Sequence, residues 1–232
     1  MRIIYSDGYY EGEVNYNNKP HGRGKLVIDN GITLSGEFKN GEPYLCTMYK
    51  NNVKRFYGYF ENGRQKGNGE IYENGRLIGK GYCIDYMLNG RGAKYNSTGF
   101  KTEEGIYNDN LVHVSGTFYY PNGTKITFDR MEHSTKEVFG AKMYNNQGVL
   151  MFEGDIKNNK KHGYGTEYTA SGIRTYEGWF RDGKYHGYGR LRYADGEYVG
   201  YFENGVRHGK GEFRFNDGRI VPGTWSNNKF IG

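Results

Sequence analysis

Six histidines, 26 carboxylate side chains and two cysteines are the groups that could do chemistry in this 232-residue chain. His21, His162, His186 and His208 each stand just before a Gly-x-Gly, and His113 holds the same place in a damaged copy. A row of imidazoles suggests a metal or catalytic array. If each recurrence is one two-stranded hairpin, however, equivalent residues lie about 10 Å apart. Zinc needs its nitrogens within about 2.1 Å, so adjacent histidines cannot share an ion. Each reads instead as a turn-flanking ring that hydrogen-bonds backbone. Glu11, Glu37, Glu153 and Glu177 recur in the same way. A glycosidase pair needs carboxylates about 5–9.5 Å apart in a cleft. One acid per repeat on a solvated face is more simply a partner for Arg or Lys on the next strand. Cys46 and Cys83 stand 37 positions apart with no C-x-x-C pair, which excludes a disulfide framework or a four-thiolate zinc site. No nucleophile elbow, Ser-His-Asp constellation or phosphate loop is visible. The reading is therefore of a protein that is not an enzyme and needs no metal or cofactor.

The elements that carry these residues are legible in the composition. The chain holds 38 Gly, 24 Tyr, 13 Phe and 4 Pro. With 8 Leu and 4 Ala, a helical bundle is excluded. Tyr, Phe and Ile interrupted by Gly read as strands and turns. An aromatic content of 17% supplies apolar area that the aliphatic residues lack, and a net charge of +6 is too modest for disorder. No apolar run approaches the roughly 20 residues of a membrane span, and the opening MRIIYSDGYYEG lacks a signal peptide's apolar core. The expected location is cytoplasmic, with membrane association as the alternative.

Self-comparison shows why the glycines are so many. YEGWFRDGKYHGYGRLRYADGE (176–197) is followed by YVGYFENGVRHGKGEFRFNDGR (198–219) and preceded by FEGDIKNNKKHGYGTEYTASGI (152–173). A further copy, YEGEVNYNNKPHGRGKLVIDNG, spans 10–31, and VPGTWSNNKFIG (221–232) is a cut-off one. Anchors at Gly12, Gly36, Gly58, Gly79, Gly105, Phe128, Gly154, Gly178, Gly200 and Gly223 step by 21–26 residues. That makes one repeat domain over 1–232, with nine full units and a partial tenth, degenerate between about 79 and 148. In YEGWF, alternation places Tyr176, Gly178 and Phe180 on one face and Glu177 and Trp179 on the other. RDGKYH and ADG supply turns, so each unit is a two-stranded hairpin. One face stacks rings over glycine, where no Cβ blocks their approach. The predicted fold class is all-β: an elongated, single-layer, twisted antiparallel sheet of tandem β-hairpin repeats.

The sequence of aromatic-x-Gly-x-aromatic, Asn/Asp-Gly and His-Gly-x-Gly resembles the MORN (membrane occupation and recognition nexus) repeat. Units two, four, five and six depart from it. Unit two has no His-Gly-x-Gly, unit five has His113-Val114-Ser115-Gly116, and unit six has Phe128 in the anchor place. The resemblance implies the same hairpin-repeat architecture. It also implies a role in binding proteins, tethering them at membrane junctions, or sitting beside catalytic domains. With no catalytic domain in this sequence, an adaptor is expected.

Two surfaces are candidates for that role. A single sheet has no second layer, so its ring ladder offers a groove for a helical or extended partner segment. The groove is assigned to Phe152, Tyr176, Phe180, Leu191, Tyr193, Tyr198, Phe202, Phe213, Phe215 and Trp225. Lys94 and Glu167 interrupt the ladder: either they give register to a partner, or local bulges bring Tyr95 and Tyr168 inward. The alternative surface is basic. Lys160, Lys161, Lys184 and Arg207 lie in hairpin turns and suit an anionic, phosphoinositide-bearing membrane. A basic, tyrosine-rich sheet could stack single-stranded nucleic acid, but no RNP-like motif supports it. Trp225, Phe230 and Ile231 near the C-terminus suggest a tail-to-tail homodimer through residues 221–232.

Overall fold

A computed structural model describes residues 1–232, apart from the side chains of Val112, His113 and Val114. His113 of the damaged copy therefore lies outside the described residues. The chain is all-β, with 21 strands and no helix among the described residues. It divides into two compact units, Met1–Val112 and His113–Gly232. The first contains β1 (Arg2–Tyr5), β2 (Gly8–Val14), β3 (Pro20–Ile28), β4 (Ile32–Lys39), β5 (Glu42–Lys50), β6 (Val53–Glu61), β7 (Arg64–Glu73), β8 (Arg76–Ile84), β9 (Met87–Tyr95) and β10 (Lys101–Asn108). The second takes most of β11 (Leu111–Tyr119), then β12 (Lys125–Glu132), β13 (Glu137–Tyr144), β14 (Leu150–Lys157), β15 (Lys160–Tyr168) and β16 (Arg174–Arg181). It ends with β17 (Lys184–Arg192), β18 (Gly196–Glu203), β19 (Val206–Phe215), β20 (Ile220–Ser226) and β21 (Lys229–Phe230).

Within each unit every strand pairs antiparallel with its neighbour in sequence. The opening segment folds back as the missing half-hairpin, with Arg2 opposite Glu11 and Tyr5 opposite Gly8. Within each unit the pairing includes strands that read as degenerate, β8 to β10 in the first and β11 to β13 in the second, because the turns rather than the rings set the register. Most hairpins at one end of the strands turn on two residues, both at positive φ: Asn62-Gly63, Asp85-Tyr86, Asn158-Asn159 and Asn204-Gly205 are examples. Such a turn matches the twist of the flanking strands, and Asn, Asp and Gly tolerate it best. Two-residue turns also occur at the opposite end, at Asn51-Asn52 and Asn74-Gly75, and the remaining hairpins at either end close on wider loops. In two of them the Asn15 and Asn145 side chains accept backbone N–H bonds from residues two and four positions on.

The core is a row of side chains on one face. A line of glycines crosses each sheet: Gly12, Gly24 and Gly36 are in register in the first unit, and Gly165, Gly178, Gly189, Gly200 and Gly211 in the second. Tyrosine and phenylalanine rings lie flat against that line.

The turns and the glycine line use glycine for different reasons. Gly205 has φ +93, and an added Cβ would meet nothing closer than Lys184 Cβ at 3.9 Å. Gly205→Ala should therefore pay only the left-handed backbone cost, about 1–2 kcal/mol. Urea unfolding with an unchanged m-value would show it.

Candidate interaction surface

Tyr176 shows how each repeat builds its ring-bearing face. Its ring packs over the Gly178–Gly189 pair, and its hydroxyl donates to the Trp179 carbonyl at 2.9 Å. Tyr10 and Tyr198 repeat the arrangement, donating to Glu13 O at 2.7 Å and Tyr201 O at 3.1 Å. The hydroxyl thus finds a partner while the ring covers backbone, which is how a tyrosine can be fully buried in a single-layer sheet.

The residue just before each histidine also faces the rings. The two-residue turn Asp182-Gly183 ends three positions earlier than the RDGKYH turn read from the sequence, so that residue is already in the strand. Tyr185 stacks on Tyr176 with centroids 3.8 Å apart and planes at 10°. Its hydroxyl donates to Glu167 Oε2 at 2.7 Å, and burial, together with that carboxylate, pushes its phenol up. Pro20 and Gln65 hold the same place and are buried. So do Lys161 and Arg207, two of the four cations assigned to a basic turn surface. Lys161 Nζ pairs with Glu167 and lies 5.1 Å from the Phe152 ring centroid. Arg207 lies 4.2 Å over Trp225 and donates to Asn228 O at 2.9 Å. Lys160 and Lys184 are exposed, so the structure does not bring the four together on one solvated surface.

The assigned groove residues are placed on one face, but mostly as core. Phe152, Tyr176, Phe180, Tyr198, Phe202, Phe213 and Trp225 are buried, and only Leu191, Tyr193 and Phe215 are half-buried. Tyr176 meets Phe180 at 5.0 Å and Phe202 at 5.3 Å, edge to face. Lys94 and Glu167 both stay on the ring face with partners: Lys94 pairs with Glu103 at 2.7 Å, and Tyr168 points the other way, donating to Glu153. In residues 221–232, Phe230 packs on Trp225 at 5.3 Å, and Ile231 remains exposed.

The histidines and acids behave individually. Asn40 N–H donates to His21 Nδ1 at 3.4 Å, whereas the buried Nδ1 atoms of His162, His186 and His208 have no partner among the described residues. Glu177 pairs with Arg174 and accepts from Tyr164 at 3.0 Å. Burial pushes the Cys46 and Cys83 thiols up to about 11, so neither is a ready nucleophile at neutral pH. No group of three His, Cys, Asp or Glu residues close enough for a metal occurs among the described residues. No helix among them is long and apolar enough to cross a membrane.

The sequence reading missed a hollow in the ring face of the second unit. Where β17 brings Tyr185, β13 brings Val138, opposite Ile156, and continues with Ala141 and Met143 opposite Gly154 and Phe152. These smaller side chains leave a solvent-open trough of about 580 Å³. Phe118, Ile126, Val138, Met143, Met151 and Ile156 line its floor and walls, and Lys125, Lys160 and Lys161 stand at its rim. On the opposite face, Tyr164, Trp179, Tyr188 and Tyr201 form a second unassigned feature, four half-exposed rings on four successive strands.

Fold and surface define a class: a hairpin-repeat sheet with a self-covering ring face and, in the second unit, an apolar trough. Comparison with known proteins places it further. Residues 10–33, 104–125, 152–174, 176–197 and 198–218 match the MORN repeat family model. The chain carries MORN repeats at these five segments. A 47-residue stretch is 38% identical to the protein named inactive protein tyrosine kinase pTKL of Plasmodium berghei (strain Anka). That similarity spans 20% of this chain and 4% of the relative.

Proposed function

We propose that this chain is a non-enzymatic interaction scaffold that holds a segment of a partner protein along its ring-bearing face, with the trough between β11 and β16 as the seat. The observation that carries the reading is the trough itself. Around Tyr176 and Tyr198 the rings cover one another and the glycines, while here an apolar hollow lies open to water. A volume of about 580 Å³ falls within the roughly 300–1,000 Å³ of ligand clefts. The matches to a repeat family known for interaction modules, and the similarity to a kinase named inactive, agree with a non-catalytic role.

Filling the hollow tests the reading. Met143 lines the trough and is half-buried, so Met143→Trp should occupy the space while keeping the strand pairing. In affinity purification from the native source, partners recovered with the wild-type chain should be lost with the variant. Equal recovery of every partner by the folded variant refutes the trough as the seat.

A further inference from the structure

The charges at the trough's rim say what its occupant carries, given that the trough is the seat of a partner segment. Lys161 is already neutralised by Glu167. Lys125 and Lys160 have no carboxylate within ion-pair distance among the described residues, and Lys125 sits 5.1 Å from the Tyr144 ring centroid. These two cations mark opposite ends. Lys125 is in register with Tyr144, at one end of β13, while Glu137, at the other end, is in register with Lys157 and through it with Lys160. Seven residue steps along β13 separate them, roughly 24 Å at about 3.4 Å per step.

The walls are apolar, and the two thioethers of Met143 and Met151 adapt to differently shaped anchors.

We propose that the segment held here presents large apolar side chains bracketed at both ends by carboxylates: an acid-flanked apolar peptide. Cations at both ends favour it over an acyl chain, whose single anionic head would satisfy only one of them. Both rim pairs would be solvent-exposed, so the two together set selectivity more than affinity.

A display library of random 20-residue peptides, selected on the full-length protein and counter-selected on Met143→Trp, tests the proposal, with Ile126→Trp as a second filled trough in case the first unfolds. Peptides enriched only on the wild type should carry an apolar core with Asp or Glu on both flanks. A synthetic copy should bind about tenfold more weakly to Lys125→Glu/Lys160→Glu, and should weaken with salt. Trough-dependent peptides with neutral or basic flanks would overturn the acid-flank proposal and leave the scaffold reading standing. The absence of any trough-dependent peptide, with oleate binding lost on filling the trough, would overturn both in favour of an acyl ligand. Identical selections on wild type and both filled variants would overturn both outright.

Discussion

Tyr176→Ala should destabilise the second unit by about 3–5 kcal/mol, the range for removing a fully buried aromatic ring from a packed core. Tyr176 is 0% exposed, stacked on Tyr185 and edge-on to Phe180 and Phe202, so its loss opens a cavity beneath three other rings. Such a loss is a large share of the roughly 5–15 kcal/mol that holds a domain folded. Tyr176→Phe separates packing from hydrogen bonding. It keeps the ring and leaves the Trp179 carbonyl without its donor, which should cost about 1 kcal/mol. Urea titration of both variants checks the pair. A Tyr176→Ala loss below 1 kcal/mol would mean the ring is a surface contact and the self-covering description is wrong. The result also bears on how binding is probed. Truncating Phe180 or Phe202, each 3% exposed, tests the fold before it tests any partner.

The repeat period, the hairpins and the alternation of ring face against charged face were legible because each has a local cause. A glycine in Tyr-x-Gly and an Asn-Gly or Asp-Gly turn act within a few residues. The candidate site was less legible. Lys161 and Arg207 look like turn residues because they are cationic and stand beside Asn, Asp and Gly. Whether they face water depends on where a two-residue turn ends, and one position of difference sends a side chain to the other face. Tyr185 was lost to the same miscount. The trough was hidden for another reason: it is made by what Val138, Ala141 and Met143 lack. A repeat whose rings have been replaced by smaller side chains reads as a damaged copy until its strands are seen in register with intact ones. The positive-φ pair at Asp85-Tyr86, with Tyr where Gly or Asn is usual, keeps the turn geometry in a unit that no longer resembles the rest.

Gly189→Val should cost about 3 kcal/mol, for a reason unrelated to backbone conformation. Gly189 sits opposite both Gly178 and Gly200, beneath the Tyr176 ring. A Cβ there would lie 2.4 Å from the Tyr176 hydroxyl oxygen and 2.7 Å from the carbon bearing it. Neither atom can retreat freely, since the hydroxyl is bonded to Trp179 O and the ring is held by Tyr185, Phe180 and Phe202. Overpacking of this kind costs about 1–3 kcal/mol, towards the upper end when several neighbours must shift. The mechanism makes a sharper claim than the magnitude. If the clash is with the Tyr176 ring, removing that ring should relieve it, so Gly189→Val should cost much less in a Tyr176→Ala background. The double-mutant cycle should then show a coupling of about 1–3 kcal/mol. Gly205→Ala, whose cost is conformational and whose site is two strands away, should be additive with Tyr176→Ala within about 0.5 kcal/mol. Additive behaviour at Gly189 would show that the glycine line serves the backbone alone, and that the rings do not require it.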